Sequence, residues 1–310
     1  MEYILLLLGL FLLIKGADVF VDGASSVAVK FKVPPLIIGL TVVSFGTSAP
    51  EAAISISASL SGANSLLLGN VIGSNLFNLL MVVGITALMM PLEAERDVIV
   101  RDMPSVILAT GGLAFMISDG LISRIDALLL LSALAAYLFF VIRKARRASE
   151  AEEEKESRPW FLSILYVAVG LASVVCGGDI VVDNAKEIAA DLGMSEALIG
   201  LTVVALGTSL PELVTSIVAA KKGAGGIAVG NAVGSCLFNI LFILGLSGTV
   251  KPIVTDPELI ADVLLLAALS LTVFGFMATG KRISRLEGAA SVLIYAAYTT
   301  FIILRAYGFV

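Results

Sequence analysis

Apolar residues run through this chain in long blocks rather than in alternation, and short clusters of Gly, Pro and charged side chains separate the blocks. A helix crosses the hydrocarbon of a bilayer in roughly 20 apolar residues. The pattern predicts such spans near 3–21, 35–60, 65–90, 98–117, 124–142, 160–182, 197–220, 226–250, 259–279 and 285–306. The fold class that follows is an all-α membrane protein with ten transmembrane helices. The first block opens with Met-Glu, lacks a basic leader and is followed by no small-residue cleavage site, so it reads as a span rather than a secretory signal.

The blocks repeat. A shift of 161 residues lays GLTVVSFGTSAPE, Gly39 to Glu51, on GLTVVALGTSLPE, Gly200 to Glu212, with ten of thirteen positions identical. The same ungapped shift lays GNVIGSNLFNLL (Gly69 to Leu80) on GNAVGSCLFNIL (Gly230 to Leu241), Pro91 on Pro252, Ser123 on Ser284, and Asp18 and Asp22 on Asp179 and Asp183. Each half is a unit of five helices: residues 1–142 with its motif at 39–80, and residues 160–310 with its motif at 200–241, joined by a linker at 143–159. Five crossings per half bring the second half into the membrane from the opposite side. The halves are therefore inverted, an architecture that places a transported ion where broken helices of the two halves meet.

Composition narrows the chemistry. Of 310 residues, 58% are hydrophobic and 15% charged, more apolar surface than a soluble core covers. His is absent, and Cys176 and Cys236 sit inside apolar blocks, which removes disulfide frameworks, His/Cys metal sites and His-based catalysis. Any metal must be held by oxygen. The net charge of -5 arises from loops and a few intramembrane carboxylates; it implies neither nucleic acid nor a protein partner, and the lipid bilayer is the expected surrounding. Lys and Arg set the orientation. Fifteen lie at the linker and the loop ends on its side (Lys30, Lys32, Arg96, Arg101, Lys221, Lys222, Lys281, Arg282 and Arg285 among them), against Arg124, Lys186, Lys251 and Arg305 on the other. The expectation is a multi-pass protein of the cell membrane with a cytoplasmic linker and both termini outside. The acidic run Glu150 to Glu156 reads as a solvated tether.

A carboxylate at the bilayer centre costs on the order of 2.5–3.5 kcal/mol, so Glu51 and Glu212 need a reason to be there. Pro50 and Pro211 stand immediately before them, and a proline lacks the N–H that the carbonyl four residues back would accept. The helices should open there, freeing the carbonyls of Ser44 to Ser48 and of Ala205 to Ser209 for a cation. On the next helices Asn70, Ser74 and Asn78 recur every four residues and share a face, as do Asn231, Ser235 and Asn239. These supply neutral oxygens, with interhelical hydrogen bonding the other reading for Asn70 and Asn231. Two carboxylates and several neutral oxygens suit Ca²⁺, which takes six to eight oxygen ligands, and equally suit monovalent ions in its place.

The paired GTSAPE and GTSLPE motifs, each followed by a GN..GS...N segment, resemble the alpha repeats of the Ca²⁺/cation antiporter superfamily, in particular sodium/calcium exchangers of prokaryotic type. The resemblance spans essentially the whole chain. It implies ten helices, a core of helices two, three, seven and eight, and a peripheral sliding pair, helices one and six. It also implies a calcium site at Glu51, Glu212, Thr47 and Thr208, and sodium sites that add Ser48, Ser74, Ser209, Ser235 and the carbonyls of Ser44 and Ala205, with Asn78 near the centre. The potassium-dependent branch and some prokaryotic relatives carry an aspartate where Asn239 stands, so the resemblance here points to potassium independence. Cys236, in place of the repeat's Asn75, reads as a packing residue.

The function these readings support is secondary active exchange of Na⁺ for Ca²⁺ by alternating access, with no cofactor beyond the transported ions. Proton-coupled or potassium-dependent exchange and a passive cation channel are the alternatives. No nucleophile and base pair or cofactor motif points to an enzyme.

Overall fold

Proline, glycine and charge break this chain into helices at the places where a backbone turn or a capping side chain is available. A computed structural model describes residues 1–149, 159–194, 203, 205–256 and 258–306. Its helices are α1 (Glu2–Lys30), α2 (Pro35–Thr47), α3 (Ala49–Ser61), α4 (Asn64–Met89), α5 (Val98–Asp119), α6 (Arg124–Ser149), α7 (Trp160–Asp191), α8 (Leu210–Lys221), α9 (Gly225–Val250), α10 (Glu258–Gly280) and α11 (Arg285–Ala306). Among the described residues eight of these are long and apolar enough to span a membrane, and the bent pair α2 and α3 makes a ninth. The span expected at 197–220 is represented by Ala205–Gly207 and α8; residues 195–202 and 204 lie outside the described part.

Several helices outrun their apolar blocks. At about 1.5 Å per residue, α1 is longer than the ~30 Å hydrocarbon core. It continues past Asp18 and Asp22, to whose carboxylates Lys222 Nζ donates at 2.7 and 2.6 Å. Residues 143–149, read as the start of the linker, instead continue α6. Linker residues 150–158 lie outside the described residues. Two helix starts carry the same reciprocal cap: Ser123 N–H donates to Asp126 Oδ2 (2.9 Å), and Ser284 N–H to Glu287 Oε2 (2.7 Å).

Among the described residues, four two-residue strands, which the all-helical reading did not include, tie the halves together. They are β1 (Leu92–Glu93), β2 (Leu121–Ile122), β3 (Ile253–Val254) and β4 (Arg282–Ile283). β1 pairs antiparallel with β4, and β2 with β3. The 161-residue shift carries β1 onto β3 and β2 onto β4, so each pairing is the image of the other. The flanking bonds obey the same rule: Ala94 N–H to Lys281 O (2.8 Å) and Thr255 N–H to Gly120 O (2.9 Å). One pair closes the ends of α4 and α10 on one side, and the other closes the ends of α5 and α9 on the opposite side.

Burial sorts the helices by role. In α4 and α9, 78% and 94% of an 18-residue apolar stretch is buried, whereas no other long span among the described residues exceeds 39%. These two form the axis of the protein, and the broken segments lie against them. Helices α1 and α7 pack antiparallel on a seam of glycines: a Cβ on Gly16 would fall 2.6 Å from Ser173 Cβ, and one on Gly170 2.4 Å from Phe20 N. Small residues allow such close backbone approach where lipid supplies no hydrophobic drive.

The repeat is unequal at one contact. A Cβ on Gly230 would meet Leu36 O at 2.5 Å and one on Gly234 would meet Ser44 Oγ at 2.7 Å, so α9 lies hard against α2. Their counterparts on α4, Gly69 and Gly73, have nothing within 4 Å among the described residues and line a cavity of about 340 Å³. The substitution Gly230→Ala should therefore cost ~1–3 kcal/mol through overpacking against backbone, and Gly69→Ala should cost far less. Melting curves of the two purified variants test this, and equal destabilisation would contradict it.

Candidate ion-binding site

The chain bends by 51° between α2 and α3. Ser48 occupies the break with φ -82° and ψ 10°, Pro50 lies in the first turn of α3, and Glu51 follows in that same turn. Ser209, Pro211 and Glu212 repeat the arrangement at α8. Pro50 deprives the Gly46 carbonyl of a donor, but the opening is narrower than expected. Ser44 O still accepts Ser48 N–H at 3.0 Å, and Ser48 O accepts Ala52 N–H at 3.1 Å. The helix turns at a single residue and resumes at once. In the second half, Ser209 O accepts Leu213 N–H at 3.2 Å. Ala205 opens the short turn Ala205–Gly207.

The glutamates are fully buried and close enough to interact electrostatically. Each is held by the other half. Ser48 Oγ donates to Glu212 Oε1 at 2.7 Å, and Ser209 Oγ donates to Glu51 Oε1 at 2.9 Å. Ser74 Oγ lies 3.4 Å from Ser209 Oγ. Ser235 is a near neighbour of Glu212. Asn70 and Asn231 take the structural role. Asn70 Nδ2 donates to Glu51 O (3.2 Å) and Ser55 Oγ (2.8 Å), and Asn231 Nδ2 donates to Glu212 O (3.1 Å) and Ser216 Oγ (3.0 Å). They brace the helix turn that bears each carboxylate.

Among the described residues, several fully buried oxygens here accept no hydrogen bond: Glu51 Oε2, Glu212 Oε2, Asn78 Oδ1, Asn239 Oδ1, Ser235 Oγ and Thr208 Oγ1. A buried polar atom without a partner is costly, and these atoms collect around two carboxylates. No group of three or more His, Cys, Asp or Glu side chains suited to a metal occurs among the described residues, so neutral oxygens must complete any coordination shell. Asn78 and Asn239 lie in matching π-helical turns, Phe77–Val82 and Phe238–Leu244. Such turns recur at functional sites, and periodicity alone does not reveal them. Thr47 differs from its mate: its hydroxyl lies 3.0 Å from Asn231 Oδ1, whereas Thr208 Oγ1 is unpartnered.

Two cavities meet at Thr208. One, about 410 Å³, is lined by Pro50, Pro211, Asp179, Asp183 and Lys186 as well. The other, about 340 Å³, runs past Asn70, Gly69 and Gly73 to the Asp262–Arg305 ion pair (3.0 Å). Both open toward the C-terminal ends of α7 and α11. On the opposite side α9 packs on α2 at Gly230 and Gly234, and a cavity of about 450 Å³ lined by Pro35, Glu93, Glu95 and Gly226 includes neither Thr208 nor either glutamate in its lining.

Residues 1–143 and 162–304 match the family model described as sodium/calcium exchanger protein, one match for each half. The chain belongs to the sodium/calcium exchanger family. It is thus a membrane cation antiporter and not an enzyme, as the sequence indicated. It is 38% identical over 263 residues to the inner membrane protein YrbG of Escherichia coli, covering 82% of this chain and 81% of YrbG. Identity to the sodium/calcium exchanger MaX1 of Methanosarcina acetivorans is 34%, covering 96% of this chain and 97% of MaX1. The solved structure of the exchanger NCX_Mj soaked with Na⁺ and Sr²⁺ superposes with a TM-score of 0.85 at 32% identity, over 96% of this chain and 97% of NCX_Mj.

Because the two serine–glutamate bonds are images of each other in this exchanger, Ser48→Ala and Ser209→Ala should weaken Ca²⁺ binding by similar factors, about tenfold for a hydrogen bond to a charged group. Calorimetric titration of the purified variants measures both. Loss confined to one of them would show that the carboxylates act unequally.

Proposed function

We propose that this exchanger moves Ca²⁺ against Na⁺ by alternating access and needs no K⁺. The observation that carries the proposal is the crosswise bonding of Ser48 to Glu212 and of Ser209 to Glu51, which leaves one oxygen of each carboxylate unpartnered beside buried hydroxyl and amide oxygens. Two carboxylates balance one Ca²⁺, and the same shell accommodates monovalent ions in its place. In this reading the ligands are the Glu51 and Glu212 carboxylates, Thr47, Thr208, Ser48, Ser209, Ser74, Ser235, Asn78 and Asn239, with the carbonyls of Ser44 and Ala205. The Ser44 carbonyl, which already accepts Ser48 N–H, has a second lone pair for this purpose. MaX1 and NCX_Mj both carry the name sodium/calcium exchanger, which supports Na⁺ as the coupling ion. By the family resemblance the potassium-dependent branch and some prokaryotic relatives carry aspartate at this position, and the amide of Asn239 in its place supports potassium independence.

The cytoplasmic side is assigned to β1, β4 and the end of α6, where Lys and Arg concentrate. Both termini then lie outside, and the two cavities at Thr208 face outward. In this reading the close packing at Gly230 corresponds to a closed inner side, and the cavity beside Gly69 to an open outer side.

The test is ion-swap flux in proteoliposomes. Dilution of Na⁺-loaded vesicles into Na⁺-free medium should drive ⁴⁵Ca²⁺ uptake whether or not K⁺ is present, and Glu51→Gln or Glu212→Gln should abolish it. Uptake driven by a pH gradient in the absence of Na⁺ would indicate proton coupling. Ca²⁺ flux without any counter-ion would indicate a channel.

A further inference from the structure

Asn75 is absent from the ligand set proposed above, yet it is fully buried and bonded to a member of that set. Its Nδ2 donates to the Cys236 carbonyl at 3.4 Å, and its Oδ1 accepts from Asn239 Nδ2 at 3.2 Å. The direction of both bonds is forced. A backbone carbonyl only accepts, so the edge of Asn75 that faces Cys236 must be the NH₂. The opposite edge is then the oxygen, and Asn239 can meet it only with its own NH₂. A planar amide held at Nδ2 turns Oδ1 the other way. That Oδ1 is buried without a partner, one helical turn beyond Ser235 and therefore on the Ser235 face of α9.

The inverted repeat supplies an internal control. The counterpart of Asn239 is Asn78, and the counterpart of Asn75 is Cys236. A thiol is a poor donor and a poor acceptor. Cys236 Sγ only approaches the Asn75 carbonyl, at 3.8 Å. Asn78 is left with neither Oδ1 nor Nδ2 bonded. Two amides equivalent in sequence are thus unequal in the folded protein, because one residue differs beside them.

We propose that Asn75 is a positioning residue that locks the Asn239 carboxamide with Oδ1 toward the transported cation, while Asn78 keeps a rotatable amide. The proposal rests on the exchanger reading above and assigns the two central amides different tasks. Asn239 presents oxygen to every ion that arrives. Asn78 turns its oxygen to a cation and can offer its NH₂ to a carboxylate when no cation is bound. Rotation of Asn239 would set its oxygen against Asn75 Oδ1, an arrangement without a proton between two lone pairs.

The experiment is calorimetric titration of Ca²⁺ into the purified full-length protein. Asn75→Cys is the informative variant, since the mirror position already accommodates a buried Cys. It should lower Ca²⁺ affinity by about tenfold, the effect of freeing one neutral ligand, and leave the melting temperature of the ion-free protein nearly unchanged. In an Asn239→Ala background the same substitution should change affinity by less than about twofold, because the group it positions is gone. Asn75→Ser serves the same comparison if the Cys variant is too unstable to titrate. Unchanged affinity in Asn75→Cys, or an equal loss in the Asn239→Ala background, would overturn the positioning role while leaving the exchanger reading intact. Failure of the parent protein to bind Ca²⁺ would overturn both.

Discussion

Two carboxylates buried near each other at membrane depth are the constraint on which the rest of this structure depends. Each would be untenable alone, because lipid offers no solvation and a like charge lies nearby. The protein answers with hydrogen bonds that cross from one half to the other. Ser48 serves Glu212, and Ser209 serves Glu51. Neither half can form a satisfied site by itself. The broken helices follow from this demand: the break places a serine hydroxyl at the turn and the glutamate three residues later, in the first turn of the resumed helix, where the local dipole favours negative charge.

The inverted repeat is visible in bonds as well as in helix order. Asn70 and Asn231 brace the two glutamate turns in the same way, and β1–β4 and β2–β3 exchange under the internal symmetry. Departures from symmetry are therefore informative. Helix α9 lies against α2 at Gly230 and Gly234, whereas the equivalent face of α4 borders a cavity. Lys222 ties Asp18 and Asp22 of α1, but their counterparts Asp179 and Asp183 line an open vestibule. Under the alternating-access proposal, an exchange of such packings between the halves would carry the opening from one side to the other.

Much of this was legible in the chain. The 161-residue shift exposed the duplication, the long apolar blocks exposed the spans, and proline beside glutamate marked the breaks. Some local detail was not legible. The helix opening was expected to release the Ser44 carbonyl, but the backbone turns at one residue and keeps that bond. The first span was placed at 3–21, short of the end of α1 at Lys30, and the Lys222 side chain that ion-pairs with Asp18 and Asp22 there lies some 200 residues away. The difference between Asn75 and Cys236 stood in the motif, but its effect on Asn239 could not be read without the contact across the axis.

The sequence by itself determined that this protein spans a membrane, that it is an inverted pair of five-helix units, and that two glutamates, Glu51 and Glu212, stand at equivalent points of the two units beside proline. Those conclusions rest on hydropathy, parity and the internal repeat, which are properties of the chain alone. Only the tertiary structure decided which serine meets which glutamate, that Asn70 and Asn231 brace the helices, and on which side the cavities open. Those outcomes depend on how the two halves pack, and a contact between distant segments is set by the geometry of both.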